Sequence, residues 1–344
     1  MKGTLEYYNI SQLGIYKRAS ETHLFDNSDS EILDSLIRWF KQRPDVVNTC
    51  TQSANKAKGQ SNVYCYDAAG SEGEYIFVLW NELTNAENEI LTLPKASKPG
   101  LATVKAGLNS NDQIPGQPSY YWVSLNHGFV ATIHFGHSMT TLIALRDYIS
   151  GYVTNYSEFA VLDDKNPDKV VGYRAPSASN DSPKGYFKFR LKRKLDENTI
   201  EELSQNYKKI TKIVRRTKKK VEQVGLDGFF HKLASRAIHR GLPKNRETHI
   251  EIELEFTPNT ARDFESIVEA YENQITDPDK SNNLGFILKG GNGKTLFLNG
   301  CHKKDEHDFE IIRKNKNPFG ATELLTYILR KQVRFVPQKK DNAA

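Results

Sequence analysis

Residues Tyr75–Trp80 read Tyr-Ile-Phe-Val-Leu-Trp without a polar interruption. A short, continuous apolar run of this kind predicts a buried strand. The rest of the first half predicts mixed strands and helices around it. Leu5–Ile10 reads as a strand, and Ser30–Lys41 as a helix with Ile32, Leu33, Leu36, Ile37 and Phe40 on one stripe. Tyr120–Leu125 and Phe129–Phe135 flank Asn126-His127-Gly128, the pattern of a hairpin with glycine in its turn. A helix is expected from Thr140 to Ile149, and Gly59–Asn62 and Lys95–Gln117 read as loops.

The chain has 344 residues, against roughly 100–200 for a usual domain, which argues for two. With 38% hydrophobic and 26% charged residues it can bury a core, so wholesale disorder is excluded. Pro167, Pro176 and Pro183 are interleaved with Ser177, Ser179, Asn180 and Asp181, which disfavours both helix and ladder. The expected organisation is an N-terminal α+β domain over 1–165, a linker over 166–184 and a C-terminal α+β domain over 185–344. No stretch approaches the ~18 apolar residues of a membrane span, and Met1-Lys2-Gly3-Thr4 does not open a signal peptide. Three widely spaced cysteines, Cys50, Cys65 and Cys301, fit a reduced compartment. The expected location is the cytoplasm.

Gly185–Arg193 alternates, with Phe187, Phe189 and Leu191 on one face and Lys188, Arg190 and Lys192 on the other. This predicts a half-buried strand with a basic outer face. Ile200, Leu203, Tyr207, Ile210, Val214, Thr217, Val221 and Val224 follow in steps of three and four. The spacing predicts a long helix over 197–224 with a narrow seam, stopped at Gly225. A second, shorter helix after Asp227 would complete a basic helix hairpin over 197–240. The seam, needing a partner along its length, predicts a homo-oligomer. His249–Phe256 reads as a strand with Glu251, Glu253 and Glu255 outward. A helix over Ala261–Ile275, two strands around Gly290–Gly293, a strand over Phe309–Arg313 and a last helix over Thr322–Arg330 follow.

The net charge of +6 is unevenly spread. Residues 1–183 carry 15 basic and 20 acidic residues, whereas 184–246 carry 19 basic and 6 acidic, a net of +13. A polyanion partner is the first reading of such a block. The candidate contacts are Lys188, Arg190 and Lys192 on the strand, and Lys208, Lys209, Lys212, Arg215, Arg216, Lys219 and Lys220 on the long helix. Lys232, Arg236 and Arg240 on the second helix complete the set. A ladder of cations one turn apart is unfavourable unless an anion compensates it. The phosphates of duplex DNA, at one charge per ~1.7 Å, match that density. With few Asn or Gln to read base edges, the binding is expected to be sequence-nonspecific. Three competing explanations stand beside it: cross-strand pairing of the strand cations with Glu251, Glu253 and Glu255, an acidic protein or membrane surface as the partner, and a merely solvated face.

Motifs for catalysis are incomplete. Gly293-Lys294-Thr295 resembles a phosphate-binding loop, but the spacing needs glycine where Leu288 stands. His134 and His137 stand three apart on a strand and so face opposite ways. Cys301-His302 with His307 lacks a fourth zinc ligand. No catalytic residue, metal or cofactor is therefore assigned. Glu251, Glu253 and Glu255 carry the alternative reading, a metal-dependent nuclease or toxin of an abortive-infection system.

At Pro118-Ser119-Tyr120, Val123, Gly128-Phe129, Ala131, Phe135-Gly136, Thr140-Thr141, Leu142 and Tyr148-Ile149, the chain resembles the RexA-type phage-exclusion proteins of lambdoid prophages. Beyond that segment, the order of elements agrees. The resemblance implies a DNA-binding antiphage sensor, acting as a dimer, that signals to a membrane effector of the RexB type. A third reading, independent of it, is a protein-interaction module whose basic face meets an acidic phage protein.

Overall fold

The computed structural model describes the chain except residues 54–60, 84–89, 108–110, 140–141, 167, 180–183, 221–246, 275–282, 291–293, 299–302 and 338–344. It is an α+β protein, and its recorded strand pairs are antiparallel. The chain divides into two compact units, Met1–Leu191 with Lys304–Ala344, and Lys192–Lys303.

The first unit is built on a sheet of nine strands: β1 (Lys2–Tyr16), β2 (Val63–Ser71), β3 (Glu74–Glu82), β4 (Ile90–Pro94), β5 (Lys105–Gly107), β6 (Gln113–Ser124), β7 (Phe129–Phe135), β10 (Tyr186–Arg193) and β15 (Lys304–Asp308). The main path runs β10-β1-β7-β6-β3-β2, and β15 also pairs with β1. Both faces are covered. On one side Trp80, Tyr120, Trp122 and Phe135 pack under α5 (Ala321–Arg330), joined by Phe309, Phe319 and Phe335. On the other, Phe77, Leu79, Tyr121 and Val130 lie beneath α1 (Ser28–Lys41) and α2 (Leu142–Asn155). A strand covered on both faces has no polar side to show, which explains the unbroken run Tyr75–Trp80, buried throughout. In α1 the expected stripe is buried, with Asp29 and Glu31 in the first turn and Arg38 and Lys41 in the last, each sign suiting the helix dipole.

Two tight turns meet at one end of this sheet. Glu72 and Gly73, both at positive φ (51° and 81°), close the β2–β3 hairpin as a two-residue turn. The β6–β7 turn lies beside it, Leu125 N donating to Gly73 O (2.9 Å) and Asn126 Nδ2 to Glu72 O (2.7 Å). Between them sits Glu74, 2% exposed. Its carboxylate accepts from Trp122 Nε1 (2.7 Å), Ser124 Oγ (2.8 Å) and Asn126 Nδ2 (3.1 Å).

The observed layout departs from the expected one in several places. The stretch expected as a linker carries a strand, β9 (Val170–Tyr173), paired with β8 (Ala160–Leu162). The stretch 185–344 is not one compact unit, because β15 and α5 complete the first unit's sheet and core. The strand expected at Phe309–Arg313 falls earlier, at Lys304–Asp308. In addition, Lys95–Gln117 holds β5 and the start of β6 as well as loops.

The second unit is a four-stranded sheet in the order β12 (Glu247–Glu255), β11 (Ile210–Lys220), β13 (Asn283–Leu288), β14 (Thr295–Phe297). The helices α3 (Glu197–Gln205) and α4 (Ala261–Gln274) cover one face through Leu203, Phe264, Val268 and Tyr271, against Ile210, Leu284 and Phe286. The long basic helix is thereby overturned. α3 is capped by Asp196, whose side chain accepts from Thr199 N, and it ends at Gln205. A 3₁₀ turn, Tyr207–Lys209, then leads straight into β11. The second helix of the expected hairpin lies outside the described residues. The seam is divided between a short helix and a strand, so it no longer calls for a partner helix along its length, and the expected homo-oligomer has no support from it. Among the described residues no helix is long and apolar enough to cross a membrane.

Candidate nucleic-acid interface

Residues paired across neighbouring strands share a face of the sheet. Registers Lys212↔Glu255, Val214↔Glu253 and Arg216↔Glu251 therefore put cations and carboxylates of β11 and β12 on one face, the one turned from α3 and α4. Lys212 Nζ lies 3.2 Å from Glu253 Oε2, and Arg216 Nη2 lies 2.6 Å from Glu251 Oε2. The Arg216 guanidinium also sits over the Phe297 ring at 4.5 Å. Arg215 points to the opposite face, its guanidinium 5.0 Å from the Tyr271 ring. A strand, unlike the expected helix, splits Lys212 and Arg216 from Arg215. The anion that compensates this part of the basic block is in the chain itself.

The other cations divide by location. Lys188 donates to Ser20 O (3.2 Å) and lies 4.9 Å from the Tyr16 ring, while Arg190 is exposed; both belong to β10, which pairs with β1 and not with the glutamate strand. Lys192 is half-buried. Lys219 and Lys220 close β11, with side chains outside the described set, and Lys232, Arg236 and Arg240 lie outside the described residues.

Lys208 and Lys209 occupy the 3₁₀ turn that feeds β11, and both are exposed. Two lysines outside the expected set of contacts join them. Lys289 N donates to Lys209 O (2.6 Å), continuing the Ile210↔Leu288 pairing. Lys294 precedes Thr295, which stands opposite Ile287. Lys289 and Lys294 are also exposed. Four lysines thus gather at one end of the sheet, on strands spaced ~4.8 Å apart, and no ion pair engages them among the described residues. Phe256, 40% exposed, adjoins the same end, its N–H donating to Thr211 O (3.2 Å). The signal in the sequence was the glycine-rich run 290–293, which has a lysine on each flank.

The residues weighed for catalysis are held separately. His137 Nε2 lies 2.9 Å from Tyr120 Oη, and its ring stacks on Phe135. Burial, with Arg313 nearby, pushes its pKa down to about 4. His134 Nδ1 is 3.4 Å from Ser138 Oγ. Glu251 and Glu253 are engaged by Arg216 and Lys212, and His307 packs on the Phe335 ring. Cys301 and His302 lie outside the described residues. Among the described residues no group of three or more His, Cys, Asp or Glu is placed to hold a metal ion. No family model, curated protein or solved structure matches this chain, so the likeness to the RexA-type proteins rests on the residues quoted for it.

Proposed function

We propose that the second unit binds nucleic acid without sequence preference, through phosphate contacts from Lys208, Lys209, Lys289 and Lys294. The observation that supports this is the grouping of four exposed lysines at one sheet end, with no ion pair to them among the described residues, while the neighbouring β11 cations carry their own carboxylates. Close, uncompensated cations repel one another, and a phosphate backbone relieves that repulsion. Duplex DNA is the polyanion proposed. Taken with the resemblance to the RexA-type proteins, the reading extends to a cytoplasmic DNA-binding sensor of antiphage defence that signals to a membrane effector.

The test is fluorescence anisotropy on labelled duplexes of unrelated sequence over a range of salt concentrations. Changing all four lysines to glutamine should weaken binding by a similar factor on every duplex. It should also flatten the slope of log K against log salt by about 0.9 for each phosphate that is no longer neutralised. The Lys212→Gln/Arg216→Gln variant should leave that slope in place. A slope unchanged in the fourfold variant overturns the assignment.

A further inference from the structure

The first unit contains an open cavity of ≈ 590 Å³ between the end of α1, the end of β2, Lys98-Pro99 and one side of α5. Its size falls within the usual range for small-molecule sites, ~300–1,000 Å³. Lys41, Arg43 and Lys98 line it, against one carboxylate, Asp67. That carboxylate is already committed. Oδ2 accepts from Ala321 N (2.7 Å) at the start of α5, and Oδ1 accepts from Ala68 N (2.9 Å). The α5 N-terminus is thus occupied from within, and burial raises the Asp67 pKa above its ordinary value.

Lys41 partly offsets that rise, and one carboxylate against three cations leaves the cavity with an excess of positive charge. Arg43 is held in place, its guanidinium 4.9 Å from the Trp39 ring and its Nε donating to Trp39 O (3.3 Å), which leaves its terminal N–H groups. Lys41 and Lys98 are exposed, and no ion pair engages them among the described residues. Thr322 and Thr326, one turn apart on α5, add hydroxyl donors, while Leu325 and Leu329 supply an apolar wall. Cations and hydroxyls beside an apolar wall suit a ligand with a multiply charged end and a flat or apolar end.

We propose that this cavity binds a small phosphorylated molecule of the nucleoside-phosphate class. The phosphates would meet Lys41, Arg43 and Lys98, and the base would lie along Leu325 and Leu329. The site is independent of the nucleic-acid reading, since it lies wholly within the first unit.

Isothermal calorimetry with adenosine triphosphate as the probe tests it, with adenosine as the uncharged control. Binding by the intact protein should weaken at least about tenfold in the Lys41→Gln/Lys98→Gln variant, because two charged hydrogen bonds are removed. It should persist in the variant lacking Lys208, Lys209, Lys289 and Lys294, and adenosine alone should bind weakly. Both lysines are exposed, so the variant is expected to fold, which an unchanged unfolding temperature without ligand verifies. Absence of triphosphate binding at millimolar concentration, unchanged affinity in the Lys41/Lys98 variant, or binding abolished only in the second-unit variant overturns the proposal.

Discussion

Replacing Glu74 should loosen the end of the first unit's sheet where two hairpin turns meet. The carboxylate is 2% exposed and accepts hydrogen bonds from an indole, a hydroxyl and an amide. Hydrogen bonds to a charged group contribute about 1.5–3 kcal/mol each, and a stranded buried donor costs about 1–3 kcal/mol. Glu74→Gln keeps the shape and one acceptor oxygen, but turns an N–H pair toward a donor. One charged hydrogen bond is removed and one donor stranded, offset by relief from burying a charge, so a net loss of about 2 kcal/mol is expected. Against a total stability of about 5–15 kcal/mol this is readily measured. All three tryptophans, Trp39, Trp80 and Trp122, belong to the first unit, so urea unfolding followed by tryptophan fluorescence reports on that unit alone. Trp122→Phe removes the indole donor and supplies the second arm of a double-mutant cycle. A coupling of about 1–1.5 kcal/mol between the two changes is expected. A loss below about 0.5 kcal/mol for Glu74→Gln, or strictly additive changes, would refute the clamp.

Gly116→Ala should destabilise the same unit by about 3 kcal/mol in that assay, because an added Cβ would strike the Asn81 carbonyl and the Trp80 indole. His137 titrates at about 4 in the folded state against about 6.5 unfolded, so the unfolded chain binds the proton first. Stability should be fully present above pH 6.5 and fall as pH drops toward 4, by about 1.5 kcal/mol once the ring's partial exposure is allowed for. His137→Gln should flatten the wild-type fall between pH 7 and 4.5 by that amount, and parallel pH profiles would count against it. Lys212→Gln with Arg216→Gln should cost the second unit no more than about 1 kcal/mol, since both ion pairs are solvent-exposed; amide hydrogen exchange of β11 and β12 reads this directly.

The strands buried on both faces were legible because burial leaves a plain mark, an apolar run such as Tyr75–Trp80 or a stripe such as Ile32 to Phe40. The stretch after Gln205 was misread because Ile210, Val214 and Thr217 also satisfy a helical step. The overlooked signal was composition: Ile210, Thr211, Ile213, Val214 and Thr217 are β-branched, and such side chains favour a pleated strand. The outward glutamates of β12 were placed correctly, but their partners lie on β11, and pairing between distant strands leaves no local trace in sequence. For the same reason Lys289 and Lys294 were invisible as companions of Lys208 and Lys209. The β11–β13 and β13–β14 registers unite them.

The pairing of β1 with β15 has a consequence for how the chain is made. β1 leaves the ribosome well before β15, and finds that neighbour only after the whole of Lys192–Lys303 has been synthesised. Until then the face carrying Trp80 and Trp122 waits for α5 to cover it. The entropy of closing that long loop grows only slowly with its length, about 0.6 kcal/mol for each doubling. Within the second unit, Lys303 N donates to Lys194 O (2.8 Å), which ties the entering and leaving segments together. Lengthening or shortening the excursion between those two residues therefore places little entropic load on the sheet that β15 completes.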